Sequence, residues 1–130
     1  MKMTDSSDLK ILIADDEPLA AERLQMLLAR VKDVHLVGTA HDGESAVRMA
    51  EALQPDLVLL DIAMPGLDGY SVCRLLKSDP ELSAIPVILM TTGANVRHRL
   101  AGLTLGADDF LSKPIDTREL ILLIRRRLGC

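Results

Sequence analysis

Apolar residues along this chain fall into five short continuous runs, and between the runs they recur every three or four positions. The runs are Leu9 to Ala14, Val34 to Ala40, Leu57 to Leu60, Ile85 to Met90, and Ala107 to Leu111. Each is strand-length. The third and fourth are the most apolar, as central parallel strands covered on both faces require. Between the runs, Ala20, Leu24, Leu27, Leu28 and Val31 share one helical face. So do Ala46, Met49, Ala50 and Leu53, and then Val72, Leu75 and Leu76. Val96, Leu100 and Leu103 form a thinner stripe, and Leu120, Leu123, Ile124 and Leu128 mark a last helix. Glycines such as Gly43, Gly69 and Gly106 punctuate the junctions, and Pro55, Pro80 and Pro86 sit near the returns to strand. The pattern is strand then helix, five times over. It predicts an α/β fold, a doubly wound five-stranded parallel sheet with helices on both faces. Residues 1–8 read as a flexible tail and residues 9–130 as one domain.

Composition narrows the function. The chain has 130 residues, enough for one domain with a full core, and only 2% of them are aromatic. The core must therefore be aliphatic, and aromatic platforms for stacking bases are missing. A net charge of −4 leaves no basic footprint for direct nucleic-acid binding. No apolar run approaches the ~18 residues that span a bilayer, and the polar N-terminus lacks the core of a signal peptide. Cys73 and Cys130 have neither metal nor redox spacing, which fits a reduced, cytoplasmic setting.

In a doubly wound sheet the carboxyl ends of all strands lie on one rim, where such folds hold their chemistry. The first strand delivers Asp15-Asp16-Glu17 there, the third Asp61, the fourth Thr91-Thr92, and the fifth Ser112-Lys113-Pro114. Clustered carboxylates repel and hold protons unless a cation intervenes. A hard divalent ion such as Mg2+ suits carboxylates, a carbonyl and retained waters. An aspartate in that setting can attack phosphorus and form an aspartyl phosphate. Lys113 can supply a second positive contact, and the Thr91 hydroxyl a hydrogen bond. Taken singly, each group has a plainer meaning. Asp15, Asp16 and Glu17 could be the favourable acids of a helix N-terminus. Thr91 could be any strand-end hydroxyl, Lys113 a solvated lysine, and Phe110 simply core. Asp68 reads best as the cap of the third helix, Cys73 as packing, and the run Arg125-Arg126-Arg127 as charge suited to a helix C-terminus.

The chain resembles the receiver domain of two-component response regulators from about Leu9 to its end. The resemblance rests on Asp15-Asp16, on Asp61-Ile62-Ala63-Met64-Pro65-Gly66-Leu67-Asp68-Gly69, on Pro86 to Thr91, and on Gly106 to Pro114. It implies the flavodoxin-like strand order 2-1-3-4-5. It implies that Asp61 accepts phosphate from a histidine kinase or a histidine phosphotransfer protein. Asp16, Asp61 and the Ala63 carbonyl would ligate Mg2+, with Asp15 acting through a bound water. Thr91 and Phe110 would move together as the switch, and the Lys113–Pro114 bond would be cis. The resemblance further implies no turnover beyond self-phosphorylation and self-dephosphorylation. The face formed by the fourth helix, fifth strand and fifth helix would carry the output to an effector or output domain and could mediate dimerisation. Ala63 and Gly93 stand where side chains tune hydrolysis, and neither can orient a water.

Three other readings compete. A receiver-like scaffold that is never phosphorylated would keep the fold without the chemistry. An Mg2+-dependent hydrolase of the dehalogenase-like class needs an acid two residues after its nucleophile, and this chain has Ala63 there. A flavin carrier needs a phosphate-cradling loop after the first strand, where Asp15-Asp16-Glu17 would repel the phosphate.

Overall fold

A computed structural model of the protein describes residues 8–92 and 105–128. Five parallel strands form one sheet: β1 (Leu9–Ala14), β2 (Val34–Ala40), β3 (Leu57–Asp61), β4 (Val87–Thr92) and β5 (Asp109–Lys113). Their order is β2-β1-β3-β4-β5, as expected. Among the described residues the helices are α1 (Pro18–Ala29), α2 (Gly43–Leu53), α3 (Gly69–Ser78) and a C-terminal helix (Thr117–Leu128). The expected stripe of Val96, Leu100 and Leu103 lies outside the described residues, as does Gly93.

The central strand β3 is buried at every position, the consequence of an apolar run covered on both sides. Successive side chains alternate between the two faces and create two cores. Leu12, Val58, Leu60 and Leu89 pack with Ala46, Ala50, Val72 and Leu76 on one side. Ile11, Ile13, Leu59 and Ile88 pack with Leu24, Leu28, Leu120 and Ile124 on the other.

The two last strands begin and end later than the apolar runs suggested. Ile85 is still in a turn, its N–H donating to the Leu82 carbonyl at 3.0 Å, and Pro86 has no N–H to give a ladder. At the other end polar residues join the ladder, Thr92 pairing with Lys113. On α1 the buried alanine is Ala21 rather than Ala20. On α3 Cys73 is buried as expected, but Leu75 is 46% exposed, because the turn that buries Val72, Cys73 and Leu76 points it outward.

Helix starts place the rim loops. Pro18 opens α1 immediately after the acids. The Asp42 carboxylate accepts from the Ser45 N–H at 2.7 Å and caps α2. Asp68 does the same for α3, accepting from the Ser71 N–H at 2.8 Å, the role its position suggested.

Candidate functional site

The site is built where β1 and β3 stop. Asp15 follows the last residue of β1 and is held there by its N–H, which donates to the Ala40 carbonyl at 3.0 Å. Its side chain is fully buried. One carboxylate oxygen accepts from the Glu17 N–H at 3.0 Å and the other from the Lys113 ammonium at 2.8 Å. Asp61 is the last residue of β3, and the next N–H, that of Ile62, donates to the Met90 carbonyl at 3.0 Å. Asp61 is buried too, and the Lys113 ammonium stands 3.4 Å from its carboxylate. The Ala63 N–H approaches the same carboxylate at 3.4 Å.

Asp16 is exposed and completes a cluster. Asp15, Asp16 and Asp61 each offer a carboxylate oxygen, and these atoms all lie within 4.8 Å of one another. Two acids are therefore in the protein and one faces water. Burial pushes the Asp61 carboxyl up to about 6, helped by the neighbouring Asp15 charge and only partly opposed by Lys113. Burial draws the Lys113 ammonium the other way, yet its hydrogen bond to Asp15 and the charges of Asp61 and Asp15 leave its pKa above the ordinary value. One ammonium thus serves an excess of negative charge. An all-oxygen donor set, partly open to water and short of positive charge, fits a hard divalent cation.

Thr91 lies near the end of β4, buried, with its hydroxyl 3.3 Å from the Thr92 carbonyl. Phe110 is 9% exposed and belongs to the core on the α2–α3 side. The structure thus brings Asp15, Asp16, Asp61 and Lys113 together. It places Thr91 at the end of the strand beside Asp61, and Phe110 in the core. The Lys113–Pro114 bond is cis, as the resemblance implied.

Three contributors escaped the sequence reading. The ring of His41, at the end of β2, has Nδ1 3.3 Å from the Asp15 carbonyl. Gly69 packs so tightly under the Asp61 carbonyl that a Cβ would collide with it. Gly43 does the same against the Leu67 backbone, which seats the loop after Asp61 on α2. The signal for all three was present only as glycines and a histidine at strand–helix junctions. Beside the site lies a cavity of about 310 Å³, lined among others by Asp15, Leu19, Arg23, Leu24, Lys113 and Ile115. Leu19 projects into solvent at its edge, 74% exposed.

A five-stranded parallel sheet in this order, with acids and a lysine gathered on its carboxyl rim, defines the flavodoxin-like α/β class of signalling domains. Residues 11–125 match the family model of the response regulator receiver domain, and the chain belongs to that family. It is 43% identical over 116 residues to the response regulator PleD of Caulobacter vibrioides, covering 89% of this chain and 25% of PleD. It is 39% identical to the probable transcriptional regulatory protein TcrX of Mycobacterium tuberculosis, over 99% of this chain and 55% of that protein. The chain therefore spans a quarter to about half the length of these curated relatives. A crystal structure of a putative response regulator from Chloroflexus aurantiacus superposes with a TM-score of 0.89 at 29% identity, covering 95% of this chain and 99% of that one. The protein is thus a receiver domain of the two-component response regulators. No helix among the described residues is long and apolar enough to cross a membrane.

Proposed function

We propose that Asp61 accepts a phosphoryl group from a phosphohistidine on a sensor histidine kinase or histidine phosphotransfer protein. The observation that carries this reading is the shared ammonium: Lys113 stands 2.8 Å from Asp15 and 3.4 Å from Asp61 inside a three-acid cluster. A carboxylate oxygen of Asp61 forms the new bond to phosphorus. The bond from phosphorus to the donor imidazole nitrogen breaks, and the imidazole keeps the electron pair and takes up a proton. With a pKa near 6, Asp61 is largely ionised at neutral pH and ready to attack.

Asp16, Asp61 and the Ala63 carbonyl would hold Mg2+, with Asp15 reaching it through water. The ion supplies charge neutralisation for the incoming phosphoryl oxygens. Lys113 then turns from Asp61 towards a phosphoryl oxygen. Thr91 donates its hydroxyl to another, and Phe110 follows into the space Thr91 leaves. The face comprising β5 and the C-terminal helix changes shape and passes the state to an output domain, an effector or a second copy. Ala63 is exposed but offers no group to orient a water, so hydrolysis is slow to intermediate. The domain is a switch without turnover of a separate substrate, and it works in the cytoplasm.

The test is a small-molecule acyl phosphate added with and without Mg2+, read by intact mass. One phosphoryl adduct that requires Mg2+ and is absent in Asp61→Ala is expected. Mg2+ binding with no adduct would instead favour the unphosphorylated scaffold.

A further inference from the structure

We propose that Arg127 and Asp109 form a positioning pair for Lys113, fixing where the edge strand β5 sits along its axis; the proposal rests on Lys113 acting as the phosphoryl contact. β5 ends the sheet order and is hydrogen-bonded through its ladder to β4 alone. A strand held on one side needs other anchors to keep its height. Two successive acids at its entrance supply them, one to each layer of helices.

Asp108 faces α3. Its carboxylate accepts from the Lys77 ammonium at 2.9 Å and from the Val87 N–H at 2.8 Å. Lys77 also donates to the Ile85 carbonyl at 2.8 Å, so the entrances of β4 and β5 are tied to one helix. Asp109 faces the C-terminal helix. Its carboxylate accepts from the Arg127 Nε at 2.5 Å, and Arg126 stands 3.4 Å from its other oxygen. A second nitrogen of Arg127 donates to the Asp108 carbonyl at 2.5 Å. One guanidinium therefore grips a side chain and a main-chain oxygen of adjacent residues. The planar fork of arginine holds these two donors in a fixed relative geometry, which the rotatable donors of lysine do not.

Alternation along a strand puts Asp109, Leu111 and Lys113 on one face. Leu111 packs in the same core as Leu120 and Ile124 of the C-terminal helix. The helix thus holds the face of β5 that ends in Lys113, roughly 13 Å beyond Asp109. Lys113 must reach two carboxylates at once, at 2.8 and 3.4 Å. A misplacement of about 1 Å at a reacting centre can lower a rate by on the order of 100-fold. A plainer account treats the arginine run as charge that suits a helix C-terminus. That account covers exposed Arg125 equally well and leaves the two-point grip of Arg127 unexplained.

The experiment compares wild type with Arg127→Leu, Arg125→Leu, and the charge swap Asp109→Arg with Arg127→Asp. It measures Mg2+ affinity, the rate of adduct formation from a small-molecule acyl phosphate, and the Lys113 Nζ resonance by NMR without donor. Arg127→Leu is expected to slow the adduct about tenfold at saturating Mg2+ and to move the Lys113 resonance. Arg125→Leu should do none of this, and the swap should recover part of the rate. An Arg127→Leu protein that melts lower but keeps the wild-type rate and resonance overturns the proposal. So does an Arg125→Leu protein that slows as much. A wild type that takes no phosphoryl group defeats the reading of the site itself, while the Lys113 resonance still decides the positioning.

Discussion

Lys113 sits closer to Asp15 than to Asp61, at 2.8 Å against 3.4 Å. The ammonium belongs first to the acid that never meets solvent, and Asp61 is left with incomplete compensation. That inequality makes Asp61 the strained member of the cluster, and its raised proton affinity follows from burial and the Asp15 charge.

Stability should therefore depend on pH through Asp61 in metal-free buffer. Well below pH 4 the carboxyl is protonated in both folded and unfolded chains and contributes nothing. Between the ordinary carboxylate range and about 6, the unfolded chain ionises while the folded site keeps its proton, so stability falls as pH rises. Above about 6 the penalty is complete. Asp61→Asn should gain on the order of 1–2 kcal/mol at pH 8 and almost nothing at pH 4. Denaturant melts at the two pH values in chelator decide it; equal gains at both would reject the assignment.

Mg2+ should oppose that penalty. At about 100 times its dissociation constant, a ligand specific to the folded state adds ~2.7 kcal/mol. Thermal melts with and without Mg2+ should separate for the wild type and coincide for Asp16→Ala. Because Asp16 is exposed and one of three clustered like charges, its loss should leave the metal-free melt no lower than that of the wild type.

Gly69 should tolerate no side chain. Its missing Cβ is where the Asp61 carbonyl lies, and its N–H donates to the Ile62 carbonyl at 2.8 Å. Gly69→Ala must push the Asp61–Ile62 backbone aside, at a cost of about 1–3 kcal/mol. The same variant should also weaken Mg2+ binding, seen by titration calorimetry. A loss of stability with intact Mg2+ affinity would mean that the backbone shift spares the carboxylate.

Lys77→Met should be more damaging than most exchanges on α3. The ammonium is mostly buried and serves Asp108 and the carbonyls of Ser83 and Ile85. Methionine keeps the apolar stem but strands these acceptors, which predicts a loss of roughly 2–4 kcal/mol in a urea melt. A loss below that range would show that water replaces the ammonium at little cost.

The strands and the acids of the rim were legible in the sequence for the same reason, whereas the order of the strands came from the family resemblance. A parallel strand is written as an apolar run, so the first polar residue after it marks the rim, as Asp15 and Asp61 do. Strand ends were less legible where polar residues join the ladder, as Ser112 and Lys113 do beside Thr91 and Thr92. Leu75 and Leu76 are neighbours of one type, and periodicity alone did not tell which faces inward. The grip of Arg127 on Asp109 was hidden in another way. The run Arg125-Arg126-Arg127 already had a sufficient local explanation at a helix end, and the residue that claims one of the three is brought near only by the folded sheet.

Asp15 and Lys113 are 98 positions apart along the chain. A polypeptide emerging from the ribosome and folded only through β4 would already crowd Asp15, Asp16 and Asp61 together, with no cation of its own among them. The cation arrives with β5, whose entrance α3 holds through Asp108 and the C-terminal helix through Asp109. The charge balance of the rim is therefore completed by the strand farthest in sequence from its first acids.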